Sequence, residues 1–344
     1  MAGARGYHNY RGRRSKGKIF LAVLLILVIL AAVVVMLLQK HIVYDETGMP
    51  QLEIPWGQDE TGEETEEPID LDLVIQEPEG AETEEIHAFA VPGGVLTKAG
   101  YESVRAAADP ACNAAAVTVK DDTGKVYFDS VSAVSGSVTV EVDTAATLSE
   151  LTGEASNYYA IARFSCFHDP KAANSDVEGM GLKNTGGFIF YDGRNSQWLD
   201  PSKPAAREYL CELAKETAAL GFDEILLTDV SYPMEGKLDK IAYGEASRNA
   251  NLLTFLEELK AALEPYSVAL SIEVPVSVIT EGREETAGLV LAEIAPKVDR
   301  VYAAALPEEV ESLASAVTAT SAATVFVPEL ATYDPTVEGN WIIF

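Results

Sequence analysis

"GFDEILLTDVSYP", residues 221–233, rises out of a glycine, runs apolar, and ends in a carboxylate and a proline. A helical pattern precedes it in "PSKPAAREYLCELAKETAALG" (201–221), and another follows in "RNANLLTFLEELKAALEPYS" (248–267). Ser202 can cap the first helix, Pro204 sits in its first turn, and Gly221 stands at its C-terminal cap. A strand held between two such helices is what a chain of alternating β and α units produces. Seven further apolar runs extend the pattern outward. They are "HAFAV" (87–91), "AAAVTVK" (114–120), "YYAIARF" (158–164), "VALSIEV" (268–274), "DRVYAAA" (299–305), "TVFVPE" (324–329) and "WIIF" (341–344). With "FDEILLTDV" (222–230) they make eight candidate strands. The runs are continuous and apolar, as strands covered on both faces should be. The expected fold is therefore an α/β (β/α)8 barrel over residues 86–344, in which the chain stops on the eighth strand and the usual last helix is missing. A doubly wound open sheet is the alternative. Against it, "VPGGVLTKAG" (91–100) lacks the spacing of a phosphate-binding glycine loop.

The N-terminal quarter has a different composition. Residues 19–38, "IFLAVLLILVILAAVVVMLL", are twenty apolar residues without a charge. At about 1.5 Å per residue they span a hydrocarbon core of about 30 Å. Residues 1–18 are basic, with no acid, and predict a cytoplasmic tail. A cleaved signal peptide is the rival, but the apolar run is too long for one and no A-x-A site follows. Residues 42–85 carry sixteen Asp or Glu and no Lys or Arg. Residues 39–85 thus read as a self-repelling disordered tether that holds the barrel off the membrane, outside the cytoplasm. "IDLDLVI" (69–75) within it alternates and could pair as a strand.

The tether supplies over half of the formal charge of −29, and this acidity argues against nucleic acid as a partner. Cys112, Cys166 and Cys211 lie far apart. One bridge with one free thiol and three reduced thiols are both compatible with that spacing. No ligand spacing demands a metal or another cofactor.

Catalytic residues of such barrels sit at the C-terminal ends of the strands. Here those ends carry Lys120, Asp121 and Asp122 after strand two, and Arg163, His168 and Asp169 on or after strand three. Asp229 ends strand four, Glu273 strand five and Glu329 strand seven, with Tyr302 on strand six. Paired carboxylates are what glycoside hydrolysis requires, one as acid and one as nucleophile or base. A polar rim is also what any barrel presents to water. Asp223 and Glu224 begin strand four, on the face that supports stability.

Four stretches carry a family resemblance: "VKDDTGKVYFDS" (119–130), "YAIARFSCFHDPKAA" (159–173), "WLDPSKPAAREY" (198–209) and "GFDEILLTDVSYP". In this order and spacing the chain resembles the bacterial "putative glycosyl hydrolase" domain family of barrel proteins. The resemblance implies a carbohydrate-active role. The family pattern places Asp where this chain has Thr228, and Asp229 falls where the family has Tyr. The family's Arg becomes Ser231. Neighbouring strand residues face opposite ways, so Asp229 shares the parity of Leu227, and only a bulge or a relaxed strand end would turn it into the pocket. Ser271-Ile272-Glu273-Val274 keeps an acid on strand five, whereas "YAAALPEEV" (302–310) replaces the family's segment after strand six.

The first functional expectation is a membrane-anchored glycosidase acting on peptidoglycan glycan or extracellular polysaccharide. Glu273 would be general acid/base, Asp229 the nucleophile if re-aimed, and Glu329 a substitute second carboxylate. Arg163 and Asp169 would shape the subsite together with Asp121, Thr228 and Tyr302, and Trp198 or Tyr232 would stack on a sugar ring. His168 reads as a loop histidine. The second expectation is a catalytically degenerate barrel that binds glycan or an envelope protein without turnover. The third is a structural module of a membrane-tethered complex.

Overall fold

The computed structural model describes residues 42–44, 50–52, 85–153 and 155–344. The expected cytoplasmic tail, the apolar run 19–38 and most of the acidic tether lie outside the described residues. Among those described, no helix is long and apolar enough to cross a membrane. The chain divides into two units, Met1–Glu77 and Pro78–Phe344. In the first, Ile42–Tyr44 pairs antiparallel with Pro50–Leu52.

The second unit is a closed barrel of eight parallel strands, not an open sheet. The strands are β1 (His87–Val91), β2 (Ala114–Lys120), β3 (Tyr159–Ser165) and β4 (Glu224–Thr228), followed by β5 (Ala269–Glu273), β6 (Arg300–Ala304), β7 (Val325–Leu330) and β8 (Trp341–Ile343). Each pairs with its sequence neighbours, and β8 closes on β1 with Ile342 beside Ala88. The helices are α1 (Lys98–Ala107), α2 (Thr144–Thr152), α3 (Pro170–Ser175), α4 (Pro204–Ala219), α5 (Arg248–Leu263), α6 (Val276–Thr280), α7 (Leu291–Ile294) and α8 (Val310–Thr320).

The alternation of each strand explains both of its packed faces. Ala88, Ala114, Ala116, Ile161, Leu226, Tyr302, Val327 and Ile342 fill the barrel interior. Alanines on β1 and β2 leave room for the bulk of Ile161, Leu226 and Tyr302, so the lumen is packed. Truncating Ile161 to Ala would cost about 2–5 kcal/mol. The other face of β4, Ile225 and Leu227, joins one core with Leu210, Leu213, Phe255 and Leu259 from α4 and α5.

Asp223, just before β4, accepts the Ala160 N–H at 2.8 Å, and Asp299, just before β6, accepts the Leu270 N–H at 2.8 Å. These carboxylates close off strand-start donors that helices do not reach. Ser202 does not cap α4: its hydroxyl donates to Asp200 Oδ1 at 2.7 Å, and Lys203 occupies the cap position without a side-chain bond. Pro204 opens the helix as expected, and Gly221 follows it at φ +90°, a conformation that favours glycine. The turn after β2 needs Gly124 for two reasons: its φ is +75°, and a Cβ there would lie 2.3 Å from Asp169 Oδ1. All three cysteines are free thiols, with Cys166 and Cys211 buried and Cys112 half-buried.

Candidate active site

Charge enters the barrel at two levels. At the floor, Glu224 begins β4 with its side chain buried. It accepts from Arg300 Nη1 at 2.7 Å and from the Tyr302 hydroxyl at 2.8 Å, and Tyr159 lies 3.3 Å from the same Arg300 nitrogen. Burial raises the Glu224 pKa, and the Arg300 charge opposes that rise. Every charge in this group has a partner.

At the rim, Glu273 ends β5, Glu329 lies near the end of β7, and Arg163 reaches across from β3. The register places Glu273 beside Tyr302 and Glu329 beside Ala304, so β6 alone separates the two acids. Arg163 Nη2 donates to Glu273 Oε2, and its guanidinium lies 4.8 Å over the ring of Phe344. Glu329 Oε1 and Arg163 Nε are buried without a hydrogen-bond partner among the described residues. Burial pushes the Glu329 carboxyl up to about 8. The Glu273 charge and a hydrogen bond shared with Glu273 add to the rise, and Arg163 opposes it. At neutral pH the pair therefore retains a proton. A cleft of about 650 Å³ opens here between Arg163, Leu306, Glu309, Glu329 and Phe344.

Asp229 reaches the interior by a backbone device. Thr228 ends β4 facing inward, and Asp229 follows at φ +54° in the left-handed region. Its Oδ2 accepts from the Ser165 hydroxyl at 2.7 Å and lies 3.2 Å from the Thr228 hydroxyl. Ser165 has the inward parity of Ile161 and Arg163. The left-handed turn brings Asp229 to the same side as Thr228, although the two are neighbours in sequence. Such a conformation costs a non-glycine residue about 1–2 kcal/mol, which Asp tolerates better than most.

The structure places the remaining expected site residues elsewhere. Asp121 accepts from Thr123, the Lys125 N–H and the Tyr127 hydroxyl within the turn after β2. Asp169 is fully buried: it caps α3 through the Ala172 N–H and pairs with Lys120 Nζ at 2.9 Å. Trp198 is buried, stacked 4.4 Å from His168, with its indole N–H on Asp192. Tyr232 is buried and accepts from Asn251. Tyr302 belongs to the floor group. Asp169, Trp198, Tyr232 and Tyr302 have no free face for a ligand, and the half-buried Asp121 is engaged by its own turn; the cleft instead takes Phe344, Leu306 and Glu309, which sequence reasoning did not single out. Ser165 was open to detection, because it repeats the parity of Arg163 two residues on.

A closed (β/α)8 barrel with carboxylates gathered at the C-terminal strand ends is an arrangement that glycoside hydrolases use, and the family match gives the class. Residues 96–323, well over half of the chain, match the family described as "Putative glycosyl hydrolase domain", and the chain belongs to it. No curated protein matches the chain. The fold is similar to the PgaB (BpsB) glycoside hydrolase domain from Bordetella bronchiseptica, with TM-score 0.54 and 14% identity over 76% of this chain and 93% of that one. A hypothetical protein from Ruminiclostridium thermocellum is 25% identical over 54% of this chain and 96% of its own, with TM-score 0.46. The glycoside hydrolase domain of PelA from Pseudomonas aeruginosa has TM-score 0.40 and 14% identity, covering 72% of this chain and 83% of that one.

Proposed function

We propose that the barrel hydrolyses glycosidic bonds of peptidoglycan or extracellular polysaccharide, held outside the cytoplasm by residues 19–38 and the acidic tether. The observation that carries this reading is Glu329, a carboxyl kept protonated to about pH 8 at the wall of an open cleft. A proton donor of that strength suits protonation of a leaving-group oxygen near neutral pH. Glu273 shares hydrogen-bonding reach with Glu329, so these two act as one proton-holding unit. Glycoside hydrolysis needs its second carboxylate farther away, about 5–10 Å from the first. Asp229, coming from β4 and held by Ser165, supplies that group as nucleophile or base. Arg163 holds Glu273 in place, and Phe344 offers an exposed ring edge to a sugar.

Turnover of peptidoglycan or of one member of a polysaccharide panel by the full chain, measured as reducing sugar released, tests this. Glu329→Gln should lower the rate about 10²–10⁴-fold. A second reading has its own support in Thr228, which stands where the family pattern has an acid. Glycan binding without turnover, equal in the wild type and in Glu329→Gln, would favour a barrel that reads glycan and does not cut it.

A further inference from the structure

Past the ends of β2 and β3, side chains from three separate segments come together: Asp122, His168 and Ser196. The ring of His168 is 3% exposed and is held flat against Trp198, with 3° between the planes. Its Nε2 lies 2.8 Å from the hydroxyl of Ser196, which is partly exposed. Its Nδ1 is buried with no hydrogen-bond partner among the described residues and lies 3.9 Å from Asp122 Oδ2, while the buried Asp192 Oδ2 lies 3.9 Å from Nε2. Asp122 is half-exposed and unpinned by any other side chain among the described residues. Asp192 fixes the turn that presents the serine: its Oδ1 accepts the Arg194 and Ser196 N–H groups, and Asn195 sits at φ +61°. The Gln197 N–H, next to the serine, has no acceptor among the described residues.

We propose that Ser196, His168 and Asp122 form a second hydrolytic site, which removes short acyl groups from esterified hydroxyls. That the ester is borne by a glycan rests on the reading given above; the ester chemistry does not. In this arrangement the serine hydroxyl donates to Nε2, the tautomer with the proton on Nδ1 faces Asp122, and the stacked indole prevents the ring from turning. Ser196 Oγ bonds to the ester carbon while its proton passes to His168 Nε2. The ester C–O bond then breaks, and the released alcohol takes that proton. Water attacks the acyl-serine, loses a proton to Nε2, and frees the carboxylic acid as the proton returns to Ser196. The Gln197 N–H is available to the oxyanion formed in each half.

The test uses the full chain with p-nitrophenyl acetate as substrate and phenylmethylsulfonyl fluoride as covalent probe. The expected result is nitrophenol release, a sulfonyl adduct that peptide mapping places on Ser196, and a loss of about 100-fold or more in Ser196→Ala. Because His168 is buried and its replacement could disturb the fold, Asp122→Asn is the second variant. It should slow labelling of Ser196 about 10-fold or more, with an unchanged melting temperature. Absence of adduct from Ser196, or hydrolysis equal in wild type and Ser196→Ala, overturns the proposal. Labelling of Ser196 at the same rate in Asp122→Asn removes Asp122 from it. Since the probe carries no sugar, its failure is separate from a failure to cleave glycan.

Discussion

The floor and the rim of the barrel hold the same chemical groups in different states of satisfaction. Glu224 at the floor is fully buried and Glu329 at the rim is half-buried, each with an arginine nearby, Arg300 below and Arg163 above. Arg300 binds Glu224 directly, and Tyr302 completes the group. Arg163 is instead engaged by Glu273, which leaves Glu329 beside a like charge with one oxygen unpartnered. A buried charge with full partnering contributes to the architecture, whereas one denied its partner keeps a proton within working range of neutral pH. The difference lies in which acid the arginine can reach.

The comparison breaks most visibly at the floor. Glu224→Ala would strand the Arg300 charge inside the barrel and lower stability by about 3–5 kcal/mol, read from denaturant unfolding. A change below about 1 kcal/mol would mean that the floor group is not the structural half of the pair.

At the rim the opposite sign is expected. The folded pKa of Glu329, about 8, lies above its unfolded value near 4.5. The folded state therefore binds more protons between those values, and stability from this group is complete below about pH 4.5 and lost as pH rises through about 8. Glu329→Gln should flatten that decline, so its melting temperature gains on the wild type from pH 5 to pH 9. Parallel curves would show that Glu329 ionises as an ordinary surface acid.

Catalysis sharpens the same contrast. Any glycan turnover should fall as pH rises past about 8, when the proton of the pair is lost. Arg163→Met removes the charge that opposes the rise, so the alkaline limb should move to higher pH. A limb that stays in place or moves lower would show that Arg163 does not act on Glu329.

The smallest effect is expected at Asp229. Asp229→Asn keeps a residue that tolerates φ +54° and the short contact to Ser165, so thermal stability should change by less than about 1 kcal/mol. Glycan turnover should fall sharply in the same variant. Equal loss of stability and turnover would assign Asp229 to the fold.

Much of the architecture was legible in the sequence because strand burial leaves a local record. The eight runs matched the eight strands, since a strand covered by helices outside and side chains inside must be apolar throughout. The distinction between Asp223-Glu224 at the strand start and Asp229 at its end was readable for the same reason. The ligand-facing surface was not. Trp198 and Tyr232 were expected as sugar platforms and Tyr302 as a subsite residue, yet each is buried against a partner: His168, Asn251 and Glu224. Aromatic residues serve packing and binding with the same surface, so residue type cannot separate the two uses.

The sequence by itself determined the period of the barrel, the acids at or after five of the strand ends and the family to which residues 96–323 belong. Only the tertiary structure decided which acids are left unsatisfied and where each one points. Parity along a strand is a local property, but Asp229 escapes it through a single left-handed residue. The proton on Glu329 depends on burial and on Glu273, fifty-six positions away in the chain and one strand away across the barrel. Desolvation and Coulomb interactions act through space, and chain order carries no record of them.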